Sequence, residues 1–247
     1  MREVAAEARL ILQSYLKEVQ KLFGTALEAV ILYGSAAGGD YLHGRSNLNL
    51  LILLAQLDAT LLQRYAKLHR QWQQEQIAVP LFLTQAELRS SLDLFPLEYL
   101  EIQEQHILLA GRDPFPELHP DLKNLRVQCE QELRGNLLRL RQRFVEGGGK
   151  QEAAGILLPL SLTALVPCLR GLFRLLGRPR QDSAEALLRE LQPALGVDAT
   201  VFQEILSLKR GMISPGPLEM PRLFERYLAG LQTVIEQTDK LKAQGKL

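Results

Sequence analysis

Apolar residues are arranged differently in successive segments of the first half of the chain. Between residues 4 and 22 they recur at steps of three and four, which predicts an amphipathic helix that ends near Gly24. Residues 29–33 and 47–54 are short apolar runs typical of buried strands. Residues 77–83 form a third run, and because Pro80 breaks it we expect a strand start or an edge strand there.

Polar residues at the ends of these runs predict where helices begin. Asp58 is placed to cap a helix that reaches about Gln76. Thr84 and Glu87 have the spacing of a capping box, which opens a further helix after the third run. In the second run, amides and leucines alternate, so the side chains of Asn47 and Asn49 are expected on the same face of the strand.

The second half of the chain predicts helices only. One apolar seam runs from Leu122 to the glycines at 147–149, a very apolar helix continues to about residue 176, and shorter helices precede a last one that reaches Leu241. Glycine and proline cluster between residues 111 and 120, so we place a domain boundary near residue 115. The predicted fold class is α+β: residues 1–115 form an α/β domain, and residues 116–247 form an all-α helical bundle.

Composition limits the classes of partner. Lysine plus arginine (29) almost balances aspartate plus glutamate (28), so the net charge of +1 gives no nucleic-acid signal and no attraction to anionic lipid. The two cysteines lack metal or redox spacing, which fits a reducing, cytoplasmic location. Residues 155–169 carry no charge but are too few to cross a bilayer, so we interpret them as a buried helix and expect no membrane partner.

The segment from residue 30 to residue 54 carries the candidate chemistry. Gly34 and Ser35 form a turn after the first strand, where backbone N–H groups and a hydroxyl can bind phosphate oxygens. The loop that follows contains His43 and Arg45, which either meet a nucleotide phosphate or belong to an ordinary polar surface loop. Ser46 directly precedes the paired asparagines and is either a further binding residue or a simple strand cap.

This segment resembles the signature of the polymerase-beta-type nucleotidyltransferase superfamily, in which Gly-Ser is followed, after a short loop, by two aspartates separated by one residue. The order of helices and strands around it is similar to that superfamily, and the appended helical bundle is similar to its kanamycin-type and minimal bacterial branches. The resemblance implies a mixed sheet with flanking helices, a nucleoside triphosphate as ligand and, by analogy, a homodimer.

The metal-binding carboxylates of the family are absent from the positions that the resemblance assigns to them. Active members hold magnesium with the two aspartates and a third carboxylate on a neighbouring strand. In this chain the paired positions are Asn47 and Asn49, and residues 77–83 contain no ionisable side chain. Magnesium relies on anionic oxygens, and an amide oxygen contributes no charge. The nearby Asp40 could at best retain one weakly bound metal ion.

We therefore expect a nucleotidyltransferase-like protein that is catalytically inactive, with no assigned catalytic residue or cofactor and with a binding or regulatory role. The nucleotide or phosphate would be bound by Gly34, Ser35, His43, Arg45 and Ser46.

Two alternatives stay open. One is an active enzyme, dependent on Mg²⁺, that transfers a nucleotide to a small molecule or protein through Asp40, Asn47 and Asn49. The other is a structural module whose bundle binds a second copy or a partner protein.

Overall fold

The computed structural model describes residues 6–38 and 47–247, and it divides into two compact units, Met1–Asp121 and Leu122–Leu247. The first unit contains both helices and strands, and the second is helical. The elements of the first unit are, in chain order, α1 (Ala6–Phe23), β1 (Leu27–Tyr33), α2 (Ser35–Gly38), β2 (Asn49–Leu54), α3 (Ala59–Trp72), β3 (Leu81–Leu83), α4 (Gln85–Ser90), α5 (Pro96–Glu104) and β4 (His106–Gly111).

The sheet of the first unit is mixed, which confirms the predicted α+β class. Its strand order is β3-β2-β1-β4, with β1 antiparallel to both β2 and β4, and with β2 parallel to β3. Since β2 and β4 are both antiparallel to β1, they begin at the end of the sheet where β1 stops. In the residue register, Tyr33 at the end of β1 lies opposite Asn49 of β2 and opposite His106 of β4.

Three elements depart from the sequence-based prediction. The third strand is shorter than the run 77–83, because regular pairing covers only Leu81–Leu83 and Ile77 forms an isolated bridge with Leu48. Pro80 lies between these two pairings and has no N–H to donate to a ladder. The apolar pattern also fails to predict α5 and β4, so the strand that completes the sheet beside β1 is a finding of the structure.

Each face of the sheet is covered by its own set of helices. The first face packs against α1 and α3, and the second packs against α4, α5 and a short 3₁₀ helix at Phe115–Glu117. Alternation along β2 assigns Leu50 and Ile52 to the first face, and Leu51 and Leu53 to the second. Asn49 therefore faces the same side as Leu51 and Leu53.

A pair of tyrosines joins α1 to α3 inside the first unit. Tyr15 and Tyr65 share a hydrogen bond of 2.7 Å between their hydroxyls, and both side chains are buried. Burial and the neighbouring Tyr65 raise the pKa of Tyr15, and burial raises the pKa of Tyr65 to about 12. Trp72 lies edge-on to Tyr15 with ring centroids 5.5 Å apart, and its indole N–H donates to Glu18.

The second unit is a bundle built around one apolar helix. Its helices are α6 (Leu122–Glu146), α7 (Gln151–Leu175), α8 (Ala184–Arg189), α9 (Leu191–Leu195), α10 (Thr200–Lys209) and α11 (Glu219–Ala243). Helix α7 packs against α6, α8, α10 and α11. By length and hydropathy, α7 is the one candidate membrane span within the described ranges, and half of its most apolar window is buried among its neighbours, as in the core helix of a globular bundle.

A buried polar network ties three helices of the bundle together. Asn136 of α6 donates from Nδ2 to the carbonyl oxygen of Ser161 of α7 (2.9 Å) and accepts from its hydroxyl (2.7 Å). The Ser161 hydroxyl also lies 3.0 Å from the Tyr227 hydroxyl of α11. Burial raises the pKa of Tyr227.

Candidate functional site

The Gly-Ser turn directly follows β1, at the end of the sheet where β2 and β4 begin. The carbonyl oxygen of Gly34 accepts hydrogen bonds from the N–H groups of Ala37 (3.0 Å) and Gly38 (2.9 Å), which closes one helical turn, α2. Gly34 has φ +76°, a left-handed conformation that glycine adopts without strain. The first N–H groups of a helical turn have no acceptor within the helix, so the turn presents donors. The binding roles of Gly34 and Ser35 stay predictions.

Asn49 lies directly against this turn. A Cβ atom at position 34 would be 3.0 Å from Asn49 Nδ2, so the amide and the glycine are in close contact. The cause is the strand register, because Asn49 pairs with Tyr33, the residue before the turn. Asn47 lies just before β2 and is exposed. The structure thus brings Gly34 and Asn49 together, at the position where the resemblance expects a metal-binding aspartate.

A second amide lies at the other end of the turn, and the sequence pattern does not indicate it. Gln105 connects α5 to β4, and only 8% of its surface is exposed. A Cβ atom at position 38 would be 2.6 Å from Gln105 Oε1 and 3.0 Å from its Nε2. The apolar run at residues 106–111, which ends at Gly111, is a sequence signal for this strand, and a strand there places Gln105 beside the turn.

Glu87, the carboxylate nearest in sequence to the third strand, has a local structural role. Its side chain accepts hydrogen bonds from the Thr84 N–H (2.8 Å) and hydroxyl (2.9 Å), and the Thr84 hydroxyl accepts from the Glu87 N–H. This confirms the predicted capping box at the start of α4. The two hydrogen bonds from Thr84 lower the pKa of the exposed Glu87 carboxyl. The β3 strand itself, Leu81–Leu83, holds no ionisable residue.

His106, which begins β4 next to Gln105, is held by its own neighbours. Its Nε2 lies 3.0 Å from Asp113 Oδ2, and its Nδ1 lies 3.0 Å from the carbonyl oxygens of Ile102 and Gln103. The other Asp113 oxygen accepts from the N–H of Phe115. The imidazole therefore fastens the start of β4 to α5 and to the segment after β4, which fixes the backbone that carries Gln105.

Asp40, His43, Arg45 and Ser46 lie outside the described residues. Within the described part of the chain, no group of three or more histidine, cysteine, aspartate or glutamate side chains is placed to hold a metal ion.

The side chains that the structure places at the turn do not fit a magnesium site. Asn49 and Gln105 offer neutral amides, each with one oxygen and one NH₂ donor group. Magnesium binds in proteins chiefly through carboxylates and the phosphates of its substrates. Amide N–H groups instead match the oxygens of an anion. Around the turn the described side chains therefore present amide N–H donors, and β2, β3 and Gln105 contribute no carboxylate.

The four-stranded mixed sheet with flanking helices, followed by a helical bundle, is the nucleotidyltransferase fold. The crystal structure of spectinomycin adenyltransferase AAD(9) from Enterococcus faecialis, solved with ATP and spectinomycin, superimposes with a TM-score of 0.55 at 10% sequence identity. The match covers 89% of this chain and 98% of that one. At this identity the likeness establishes the fold alone. No protein-family model matches the sequence, and no curated protein matches it either.

Proposed function

We propose that this chain is a nucleotidyltransferase-like protein that binds the phosphates of a nucleotide at the Gly34–Ser35 turn and does not transfer the nucleotide. Its role is then binding or regulation. The observation that carries the proposal is the contact between Asn49 Nδ2 and the turn at Gly34, where the family uses an aspartate. The adenyltransferase of the same fold was solved with ATP, which supports a nucleotide as the ligand.

Charge explains why binding survives and transfer is lost. Each Asp→Asn replacement removes one negative charge, and two replacements remove the attraction that holds magnesium beside a triphosphate. The same replacements remove two repulsive charges from the neighbourhood of the phosphates and add two N–H donor groups. Binding should therefore depend little on magnesium, whereas phosphoryl chemistry that relies on metal-neutralised charge should not proceed.

The test is a titration of the purified protein with ATP, GTP, CTP and UTP, with and without magnesium. Heat of binding and release of pyrophosphate are measured in the same samples. We expect binding of at least one nucleotide, little changed by magnesium, and no pyrophosphate. Pyrophosphate release that Asn49→Ala or Asp40→Ala abolishes would show an active enzyme instead. Absence of binding to all four nucleotides would favour a structural partner module.

A charge-restoring variant sharpens this test. In the double variant Asn47→Asp, Asn49→Asp, two carboxylates return to the positions that hold metal in the family. Magnesium should then strengthen nucleotide binding by about tenfold or more, which corresponds to roughly 1.4 kcal/mol. Equal affinity with and without magnesium in the double variant would contradict the assignment of these two positions to the phosphate site.

A further inference from the structure

The Gln105 side chain is buried in an unusual way. It is more than nine-tenths buried, and within residues 6–38 and 47–247 its Nε2 has no hydrogen-bond partner. Glu28 Oε2 and Arg170 Nε are the other buried unpartnered side-chain atoms within the described ranges. Those two residues are only partly buried as a whole, and Arg170 makes a further interaction. A buried N–H group without an acceptor costs free energy, and native proteins contain few of them.

The position of Gln105 is fixed by the topology of the sheet. Strands β2 and β4 both begin where β1 ends, so the residues at their starts flank the turn from opposite sides. Asn49 contacts the beginning of the turn at Gly34, and Gln105 contacts its end at Gly38. The contact at Gly38 is too close for a side chain, since a Cβ atom there would overlap the Gln105 amide. The two amides therefore bracket one helical turn.

The backbone around Gln105 keeps the amide in this place. The Gln105 N–H donates to the carbonyl oxygens of Glu101 and Ile102, which ends α5 directly before the strand. The next residue, His106, is fastened by Asp113 and by two carbonyl oxygens of α5. The main chain of Gln105 is therefore held on both sides, which gives the residue a defined position at the end of the turn.

We propose that Gln105 is a ligand-binding residue whose Nε2 donates a hydrogen bond to a phosphate oxygen of the anion held at the Gly34–Gly38 turn. This inference rests on the proposed function, because it names a further residue of the same site. The phosphate is then bound by uncharged donors: the N–H groups of Ser35 and Ala36 at the start of the turn, the Ser35 hydroxyl and the amides of Asn49 and Gln105. Binding supplies the acceptor that Nε2 lacks, so the cost of burying this donor is recovered when the ligand is present.

The experiment measures the affinity for ATP by calorimetry in EDTA, for the wild type and for Gln105→Leu. Leucine fills a similar volume but has no N–H donor. Gln63→Leu, at an exposed position of α3, is the matched control. We expect Gln105→Leu to weaken ATP binding about five- to tenfold, the worth of one hydrogen bond, and Gln63→Leu to bind as the wild type does. Inorganic pyrophosphate in place of ATP should show the same loss, because the contact is to phosphate.

A second variant separates a binding role from a packing role. Gln105→Glu places a carboxylate beside the turn, so in EDTA it should weaken ATP binding more than Gln105→Leu does. Added magnesium should partly restore its affinity and leave that of the wild type little changed. A merely structural glutamine would not acquire this magnesium dependence.

The outcomes distinguish the two proposals. If the wild type binds ATP and both Gln105 variants bind it equally well, Gln105 is not a ligand-binding residue, while the proposed function stands. A loss of stability in Gln105→Leu without a loss of affinity likewise overturns the inference. If the wild type binds neither ATP nor pyrophosphate, the proposed function fails first, and the role of Gln105 fails with it.

Discussion

Two buried amides, one in each unit of the chain, have opposite surroundings. Asn136 in the bundle is 3% exposed and uses both ends of its amide, donating to the Ser161 carbonyl and accepting from the Ser161 hydroxyl. Gln105 in the first unit is 8% exposed, and its Nε2 donates to no acceptor in the described part of the chain. Both side chains are buried, but among the described residues only Asn136 has hydrogen-bond partners at both ends of its amide.

We interpret this difference as one between a polar residue that serves folding and a polar residue that binds a ligand. A buried network in which every member is hydrogen-bonded holds its helices in one arrangement, because any shift leaves several polar groups unpaired. An unpaired donor adds nothing to the folded state and costs desolvation. Because Gln105 lies against the turn predicted for phosphate, we propose a ligand as the acceptor of this donor.

The largest effect is expected from breaking the bundle network at its centre. Asn136→Ala removes the acceptor of the Ser161 hydroxyl and leaves a cavity between α6 and α7, so the bundle should lose about 3 kcal/mol of unfolding free energy. Urea denaturation followed by far-UV circular dichroism measures the change. Gln131→Ala, at an exposed position of α6, is the control and should stay within about 0.5 kcal/mol of the wild type. Equal stabilities for the two variants would mean that the fold does not depend on Asn136, and the contrast with Gln105 would not hold.

A smaller loss should follow when the network is shortened at one end. Tyr227→Phe deletes a single hydroxyl, and Ser161 keeps its hydrogen bond to Asn136. We expect a loss of about 1 kcal/mol, the net worth of one hydrogen bond. The same urea series tests the expectation. A loss as large as that of Asn136→Ala would mean that the network acts through Tyr227 and is not centred on the amide.

The tyrosine pair is a buried polar contact of the first unit that lies away from the turn, and its two hydroxyls are hydrogen-bonded to each other. Burial raises the pKa of Tyr15 and Tyr65 in the folded state, and an unfolded tyrosine ionises near pH 10. The stability that this pair contributes is therefore fully present below about pH 10 and is lost as the pH rises above it.

Trp72, the single tryptophan of the chain, lies next to Tyr15 and reports on this unit by fluorescence. The urea midpoint should not change with pH near neutrality and should decrease at alkaline pH. In Tyr65→Phe this decrease with pH should be smaller. Tyr33 and Tyr99 keep part of the slope, because burial raises their pKa as well. An identical alkaline slope in Tyr65→Phe would mean that Tyr65 does not titrate differently in the folded and unfolded chain.

Periodicity along the chain predicts the mixed α+β architecture and the long bundle helices, but it does not predict the strand that carries Gln105 to the turn. Helix α5 is buried at Leu97, Tyr99, Leu100 and Ile102, so it presents no single apolar stripe, and β4 is a short run on a sheet edge. Residues 29–54 predict that Gly34 and Asn49 lie close together, because β1 and β2 follow one another in the sequence. Gln105 comes from a strand far along the chain, and only the register of the folded sheet brings it there.

The smallest expected effect is on the stability of Gln105→Leu, and it decides between the two kinds of buried amide. Leucine replaces the amide without leaving a donor unpaired, so the unfolding free energy of the first unit should stay within about 0.5 kcal/mol of the wild type or rise by about 1 kcal/mol. Trp72 fluorescence in urea measures it. A loss of the size expected for Asn136→Ala would show that the fold itself uses Gln105. Unchanged or higher stability, together with weaker ATP binding, has one physical explanation: the sequence keeps a donor that folding does not need, because a ligand takes its hydrogen bond.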